Sequence, residues 1–189
     1  MLYEVLSQVG AALNDGGILW GVGASVLLNH YELVEKPNDI DILIAIKDIE
    51  KADSIIKNIG NKKIREKSEA YSTKYFYEYV INGIDLDVMA GLTINYENGS
   101  YEHIFDEKSI VEVKNINEIN IPFTSLEDWY VIYQLIPGRQ FKVHMIENYL
   151  IKNGIKKPEL LERILTKALP YKIRKNIEML LNKCIECKL

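Results

Sequence analysis

The stretch Lys36-Pro37-Asn38-Asp39-Ile40-Asp41-Ile42-Leu43-Ile44 decides the fold, because two acidic residues two positions apart interrupt an otherwise apolar run. A strand turns every second side chain to the same face, so Asp39 and Asp41 should project side by side, roughly 7 Å apart along the backbone. The isoleucines between and after them should face the core. The pattern predicts a strand that holds a divalent metal, although an ordinary half-exposed strand shows the same alternation.

Length and composition favour a globular protein. With 189 residues and 48% hydrophobic content, the chain can form one substantial domain, or a catalytic domain with a smaller helical appendage. Its apolar runs are shorter than the roughly 18 residues that cross a bilayer, and its first residues lack the basic start of a secretory signal. We therefore expect a soluble, cytoplasmic protein without a membrane partner.

The two cysteines, Cys184 and Cys187, form a Cys-x-x-Cys pair near the end of the sequence. Half a zinc site or a redox pair has this spacing, but a zinc site needs further ligands at matching positions. No second cysteine pair exists and the three histidines lie at unrelated spacings. We expect reduced thiols.

Charge is distributed unevenly along the chain, whose net charge is −4. Residues 1–137 carry 11 Lys and Arg against 22 Asp and Glu, which gives −11, whereas residues 138–189 carry 12 against 5, which gives +7. An acidic part beside a basic part suits a cleft with metal on one wall and phosphate or nucleic acid on the other. Solvated helix faces would explain the basic residues equally well.

Hydrophobic periodicity and turn residues predict an element order with few helices early, strands in the middle and helices at the end. The predicted helices before the strand-rich region are 2–13, 26–31 and 48–58, the last capped by Asp48. The predicted strands are 18–22, 39–44, 75–81, 84–89, 93–96, 101–105, 110–113 and 119–122, with an Asn82-Gly83 hairpin.

After Pro122 the pattern becomes helical, beginning with Thr124-Ser125-Leu126-Glu127, which is typical of a capping box. Four helical stretches follow. The sequence therefore predicts an α+β fold in which a mixed β-sheet with flanking helices is followed by a C-terminal helical bundle. We place a catalytic domain at residues 1–122 and a helical domain at residues 123–189.

Three segments together resemble the nucleotidyltransferase superfamily related to DNA polymerase β. They are Gly21-Val22-Gly23-Ala24-Ser25, then, after 13 residues, Asp39-Ile40-Asp41-Ile42, and later Ile84-Asp85-Leu86-Asp87-Val88. That superfamily combines a small-residue turn, an Asp-hydrophobic-Asp/Glu strand and a third carboxylate on a later strand. The helical tail is similar to bacterial antibiotic nucleotidyltransferases and to nucleotidyltransferase-like proteins of toxin–antitoxin loci.

The resemblance implies an acidic metal site. Asp39 and Asp41 would hold two Mg²⁺ ions, and a third carboxylate would be a metal ligand or the general base. Asp85 and Asp87 share a strand face, so either could supply it, and we favour Asp87. Four carboxylates on one patch repel each other without cations, which gives a metal-free fold little reason to group them.

The resemblance also implies a phosphate site at Gly23, Ala24 and Ser25, where backbone N–H groups would approach a triphosphate. The family's adjacent Gly-Gly or Gly-Ser is absent here, so either the serine shifts by one position or alanine replaces the second small residue. A plain helix start would need the same residue types. Arg139 and Lys142, three residues apart at the start of a predicted helix, could reach the phosphates from across the cleft.

We therefore predict a magnesium-dependent, nucleotide-binding transferase that moves a nucleoside monophosphate from ATP or another NTP to a hydroxyl group. The acceptor would be a small molecule or a macromolecule. The alternative is a non-catalytic binding protein on the same fold, either an antitoxin-like partner of another protein or an RNA binder that uses the basic C-terminal helices.

Overall fold

The computed structural model of the chain describes residues 1–64 and 72–186, and it places helices at both ends of a strand-rich middle. The helices are α1 (Leu2–Asp15), α2 (Ala24–His30), α3 (Ile49–Ile56), α4 (Leu126–Leu135), α5 (Gln140–Asn153), α6 (Pro158–Leu165) and α7 (Tyr171–Glu186). The strands are β1 (Trp20–Val22), β2 (Ile40–Ile44), β3 (Asn61–Lys62), β4 (Tyr75–Ile81), β5 (Ile84–Ala90), β6 (Thr93–Tyr96), β7 (Gly99–Glu102), β8 (Ile110–Ile116) and β9 (Ile119–Thr124). Two short 3₁₀ helices cover Ile46–Asp48 and Glu107–Ser109.

Seven of these strands form one mixed sheet in the order β3-β4-β5-β2-β1-β9-β8, and β6 pairs with β7 separately. Two neighbouring pairs are parallel, β2 with β5 and β1 with β9, and the other pairs are antiparallel. The predicted Asn82-Gly83 hairpin joins β4 to β5. The mixed sheet with flanking helices and the C-terminal helices confirm the predicted fold class.

The strand β2 lies inside the sheet between β5 and β1, and four of its five residues are buried, the exception being Asp41. Ile40, Ile42 and Ile44 are no more than 1% exposed, as predicted. Burial of each such side chain contributes about 1.5–3 kcal/mol. These isoleucines fix which face of β2 carries the polar residues, because a shift of one residue would turn the aspartates into the core.

Two predicted helix caps are wrong in detail. Asp48 precedes α3 but makes no side-chain cap; its Oδ2 instead accepts a hydrogen bond of 3.1 Å from the backbone N–H of Leu19. The capping box predicted from Thr124 to Glu127 is replaced by a single cap at the next position, because Ser125 is the N-cap and its hydroxyl accepts from the N–H of Asp128 at 3.0 Å. Thr124 belongs to β9, and its hydroxyl donates to the carbonyl of Val22 at 2.9 Å.

The C-terminal helices pack around α4, which contacts α2, α5, α6, α7 and the strand β6. Glu127 of α4 accepts hydrogen bonds of 2.9 Å from the backbone N–H groups of Lys156 and Lys157, which precede α6. The division into domains at 122/123 stays a prediction. Across residues 1–64 and 72–186, we find no helix with the length and apolar character needed to cross a bilayer.

Candidate active site

The turn between β1 and α2 begins with a glycine that no larger residue could replace without movement. Gly23 has an extended backbone (φ −133°), and its N–H donates to the carbonyl of Asp41 at 2.9 Å. A Cβ atom on Gly23 would lie 2.5 Å from both Cε2 and Nε1 of the Trp129 indole. The glycine is therefore required by the close approach of α4 to the turn.

Ala24, the next residue, has a φ of +44°, in the left-handed region. This conformation costs an L-residue roughly 1–2 kcal/mol, because its Cβ crowds the following carbonyl. Alanine therefore occupies the position where a residue without a Cβ would be unstrained. Of the two arrangements predicted for this turn, the geometry is that of alanine in place of the second small residue.

Ser25 follows in the first turn of α2 and is buried, with 8% of its surface exposed. Its hydroxyl donates to Oδ1 of Asp39 at 3.1 Å and also lies 3.2 Å from the carbonyl oxygen of that residue. The serine thus connects the turn directly to the acidic strand. The sequence places Ser25 in a predicted phosphate site, and in the structure its hydroxyl contacts a carboxylate.

The third carboxylate comes from β5, which runs parallel to β2. The register pairs Asp41 with Asp87, so these two side chains project from neighbouring positions on one face of the sheet. Asp85 lies two residues earlier in β5. Its side chain is exposed and forms an ion pair of 2.6 Å with Lys63. The structure thus brings Asp87 to the two aspartates and leaves Asp85 outside the group.

Clustering changes the acidity of the central carboxyl group. Burial, followed by the charges of Asp39 and Asp87, raises the pKa of Asp41 to about 8. Lys142 and Arg139 act in the opposite direction on the same group. A positive charge beside these carboxylates would remove the repulsion that keeps Asp41 protonated.

The opposite wall of the site comes from α4 and the start of α5. Arg139 is the residue before α5, and Lys142 lies in its first turn. The Nζ atom of Lys142 donates to the hydroxyl of Tyr133 at 3.3 Å and lies 4.9 Å from the centre of that ring. The pKa of Lys142 is lowered overall. Burial and the charge of Arg139 lower it, and the charges of Asp41 and Asp39 act in the opposite direction. The two cations therefore face the acidic strands directly.

A cavity of about 270 Å³ lies between these walls. Of the predicted site residues, it is lined by Ala24, Ser25, Asp39, Asp41, Asp87, Arg139 and Lys142. Gly23 supports the turn beneath it, and Asp85 does not reach it. The remaining lining residues are Phe76, Glu78, Met89, Leu92, Trp129, Ile132, Tyr133 and Ile136.

Comparison with protein-family models and with curated protein sequences finds no match. Comparison with solved structures finds similar folds. The Thermotoga maritima protein TM1012, assigned as a nucleotidyltransferase, is 23% identical with a TM-score of 0.57, over 79% of this chain and 92% of that one. The crystal structure of ANT(2'')-Ia in complex with adenylyl-2''-tobramycin is 12% identical with a TM-score of 0.56, over 94% of this chain and 97% of that one.

The chain has the nucleotidyltransferase fold. A solution structure of ANT(2'')-Ia, described as an antibiotic-resistance factor, agrees with a TM-score of 0.55 at 14% identity, over 84% of this chain and 88% of that one. At such identities the similarity extends to the fold alone. The activity of this nucleotidyltransferase-fold protein therefore depends on the residues of its own cavity.

The donor atoms on the acidic wall fit magnesium. Asp39, Asp41 and Asp87 offer only carboxylate oxygens, which are the ligands that this hard cation prefers. In the ranges 1–64 and 72–186, no three His, Cys, Asp or Glu side chains are already arranged as a ligand set. The observation that favours a cation here is geometric, because all three carboxylates line the same cavity. Burial, and then the charges of Asp39 and Asp87, raise the pKa of Asp41, and a bound cation would offset the second of these causes.

Sequence reasoning missed Glu78, which lines the cavity from β4. The signal was present in the Asn82-Gly83 turn, because a two-residue hairpin pairs Ile81 with Ile84. Counting back along both strands then places Glu78 opposite Asp87.

Of the cysteine pair, Cys187 lies outside the described residues, so the expectation of reduced thiols stays a prediction.

Proposed function

We propose that this protein is a magnesium-dependent nucleotidyltransferase that moves a nucleoside monophosphate from an NTP to a hydroxyl group. One observation carries the proposal. The turn at Ala24 and Ser25, the three aspartates and the two cations come from distant parts of the chain and line the same 270 Å³ cavity.

In this proposal the acidic wall is the metal site. Asp39, Asp41 and Asp87 hold Mg²⁺ through their carboxylate oxygens. When bound, the metal stabilises the charge that develops on the attacking oxygen and on the leaving pyrophosphate. Ser25 keeps Asp39 in place through its hydroxyl, which donates to the carboxylate at 3.1 Å.

The triphosphate lies between the turn and α5. Backbone N–H groups at Ala24 and Ser25 approach it from one side. Arg139 and Lys142 approach from the other side, where a guanidinium can bind two phosphate oxygens and an ammonium provides a point charge. Both cations line the same cavity as the three aspartates, which supports this arrangement.

The acceptor is a molecule that offers a hydroxyl at the open side of the cavity. ANT(2'')-Ia, with the same fold, is known in complex with an adenylylated small molecule. This precedent supports a small-molecule acceptor here, and a macromolecular hydroxyl remains the second class to be screened. The donor is ATP or another NTP.

Metal-dependent nucleotide binding tests the proposal. Isothermal titration of ATP, GTP, CTP and UTP in the presence of Mn²⁺ should detect binding by the wild type and a loss of at least tenfold in the Asp39→Asn/Asp41→Asn double variant. Glu50→Gln, an exposed carboxylate on α3, is the matched control and should bind as the wild type does. Equal metal-dependent binding by the double variant would overturn the proposal.

A second candidate function is single-stranded RNA binding by the basic helices. Phe141 and Tyr171 are 75% and 74% exposed on α5 and α7, and Lys172 lines a separate cavity of about 160 Å³ beside His144. Exposed aromatic rings next to lysines favour stacked, unpaired bases. Under this alternative, Tyr171→Ala and Lys172→Glu weaken binding of a labelled RNA oligonucleotide, and the aspartate variants do not.

A further inference from the structure

A row of carboxylates crosses three neighbouring strands of the sheet. The register pairs Asp41 of β2 with Asp87 of β5, and it pairs Asp87 in turn with Glu78 of β4. Neighbouring strands lie about 4.8 Å apart, so Glu78 begins about 10 Å from Asp41 on the far side of Asp87. The register therefore places a third carboxylate next to the two that the proposed function assigns to the metal.

Glu78 faces the cavity, and its strand neighbours show why. Alternate residues of β4 point to opposite faces of the sheet. Tyr79 is 1% exposed and its hydroxyl donates to Asp53 of α3, which places the tyrosine on the helix-covered face. Glu78, and Phe76 two residues before it, therefore lie on the other face, where both line the cavity.

The strand order gives the row a direction. The turn that contains Ala24 and Ser25 follows β1, and the sheet then continues through β2, β5 and β4. The order in space is therefore the turn, Asp41, Asp87 and Glu78. If the turn holds the phosphates, Glu78 lies at the end of the row farthest from them, and the inference requires the acceptor hydroxyl to approach from that end.

We propose that Glu78 is the general base of the transfer, and that Asp87 is a metal ligand and not the base. This inference rests on the proposed function. A carboxylate that ligates a metal has its charge neutralised and its pKa lowered, which makes it a poor proton acceptor. Glu78 is the next carboxylate outward, and its extra methylene lets it extend from β4 back toward the attacking oxygen.

The O–H bond of the acceptor breaks and its proton passes to a carboxylate oxygen of Glu78, while the acceptor oxygen forms a bond to the α-phosphorus. The bond from the α-phosphorus to the oxygen that bridges to the β-phosphate breaks. Pyrophosphate leaves with that electron pair.

The affinity for metal distinguishes the role of Glu78 from that of Asp87 without a measurement of turnover. We would titrate Mn²⁺ in the presence of α,β-methylene ATP, which cannot transfer its nucleotide, into the wild type, Glu78→Gln and Asp87→Asn. Glu78→Gln should keep the affinity for Mn²⁺ within about threefold, and Asp87→Asn should lose at least tenfold. A tenfold loss in Glu78→Gln would make Glu78 a metal ligand and overturn the inference.

A crystal structure of the wild type with Mn²⁺ and the same analogue gives a second readout. A carboxylate oxygen of Glu78 should lie about 2.6–3.2 Å from the water or hydroxyl in line with the α-phosphorus, which is the reach of a general base. Glu78 bound to Mn²⁺, or far from that position, would overturn the inference and leave the proposed function standing. Absence of metal-dependent nucleotide binding by the wild type would overturn both.

Turnover adds a third readout, measured as pyrophosphate release with glycerol as the hydroxyl probe. Glu78→Gln should lower kcat by about 10²–10⁴-fold and leave the KM for the NTP within about threefold. Glu78→Asp should recover part of the rate. An unchanged kcat in Glu78→Gln beside an active wild type would overturn the inference, and Glu50→Gln is the control.

Discussion

Gly23 lies against the indole of Trp129, so closely that a methyl group on the glycine would meet Cε2 and Nε1 of the ring at 2.5 Å. The indole is itself fixed, because its Nε1 donates to the hydroxyl of Thr124 at 2.9 Å, and that hydroxyl donates to the carbonyl of Val22. The helix α4 and the turn after β1 are therefore one packed unit. The shape of the turn depends on a residue more than a hundred positions away.

We predict that Gly23→Ala destabilises the protein by about 1–3 kcal/mol, because the added methyl overpacks a site that cannot relax. Urea denaturation at neutral pH measures the change. Trp129→Phe removes part of the ring that the methyl would meet, so the Gly23→Ala/Trp129→Phe double variant should be more stable than the sum of the two single changes predicts. Strict additivity would show that the indole is not what excludes the methyl.

Stability should also depend on pH through Asp41. The pKa of this carboxyl group is raised from 3.8 to about 8, so the folded state holds its proton more tightly than the unfolded state does. Its stabilising contribution is therefore complete at low pH and is lost as pH rises from about 4 to about 8. We expect Asp41→Asn to flatten this decline in urea denaturation at pH 5, 6.5 and 8.

Magnesium offers a check on the cause of that decline. At pH 8 millimolar Mg²⁺ should raise the midpoint of unfolding of the wild type, because the cation binds the ionised aspartates of the folded state. The same addition should have little effect on Asp41→Asn. An equal effect of magnesium on both proteins would mean that the metal acts elsewhere.

His103 and Asp128 form a buried pair of titratable groups. They are 4% and 1% exposed, and Nδ1 of the histidine lies 3.9 Å from Oδ1 of the aspartate. Burial lowers the pKa of His103 to about 4 and raises the pKa of Asp128 to about 7. Both groups are therefore driven toward their neutral forms.

The two shifts act in opposite directions on stability. The contribution of Asp128 is lost as pH rises from about 4 to 7, and that of His103 is lost as pH falls from about 6.5 to 4. In the wild type they largely cancel. We predict that Asp128→Asn shows stability rising with pH between 4.5 and 6.5, and that His103→Gln shows the reverse, in urea denaturation; parallel curves for both variants would contradict this account.

Lys142 should contribute to nucleotide affinity without contributing to metal affinity. We expect Lys142→Met to weaken Mn²⁺-dependent NTP binding by about tenfold, which corresponds to about 1.4 kcal/mol. Mn²⁺ binding alone should be unchanged or slightly stronger, because a positive charge that faces the aspartates is removed. Lys152→Met, which changes an exposed lysine of the same helix, is the matched control. An equal loss of NTP affinity in that variant would mean that the net charge of the protein, and not the position of Lys142, causes the effect.

Local signals in the sequence predicted the aspartate strand and the hairpin well. The period of two placed Asp39 and Asp41 on one face, and Asn82-Gly83 set the antiparallel register of β4 and β5. The sequence analysis favours Asp87 over Asp85 without a local signal that decides between them, because both residues face the same side of the strand. The choice depends on how far β5 slides along its parallel neighbour β2, which no local residue encodes.

Other errors have the same origin in tertiary contacts. Thr124 and Ser125 are equally good caps for α4, and the structure uses Ser125 because the hydroxyl of Thr124 is engaged with Val22 and Trp129. Arg139 and Lys142 were chosen for their helical spacing. Their approach to the aspartates depends on the packing of α4 across the sheet, which the spacing alone does not determine.

The left-handed backbone of Ala24 has a practical consequence for finding the acceptor and the donor. The left-handed turn at Ala24 and the three carboxylates line one cavity, and a ligand that binds there only in the folded state adds RT ln(1 + [L]/Kd) to the free energy of unfolding. A melting-temperature screen of nucleotides with magnesium would therefore identify the donor. The same screen with hydroxyl compounds, in the presence of that nucleotide and magnesium, would then identify the acceptor.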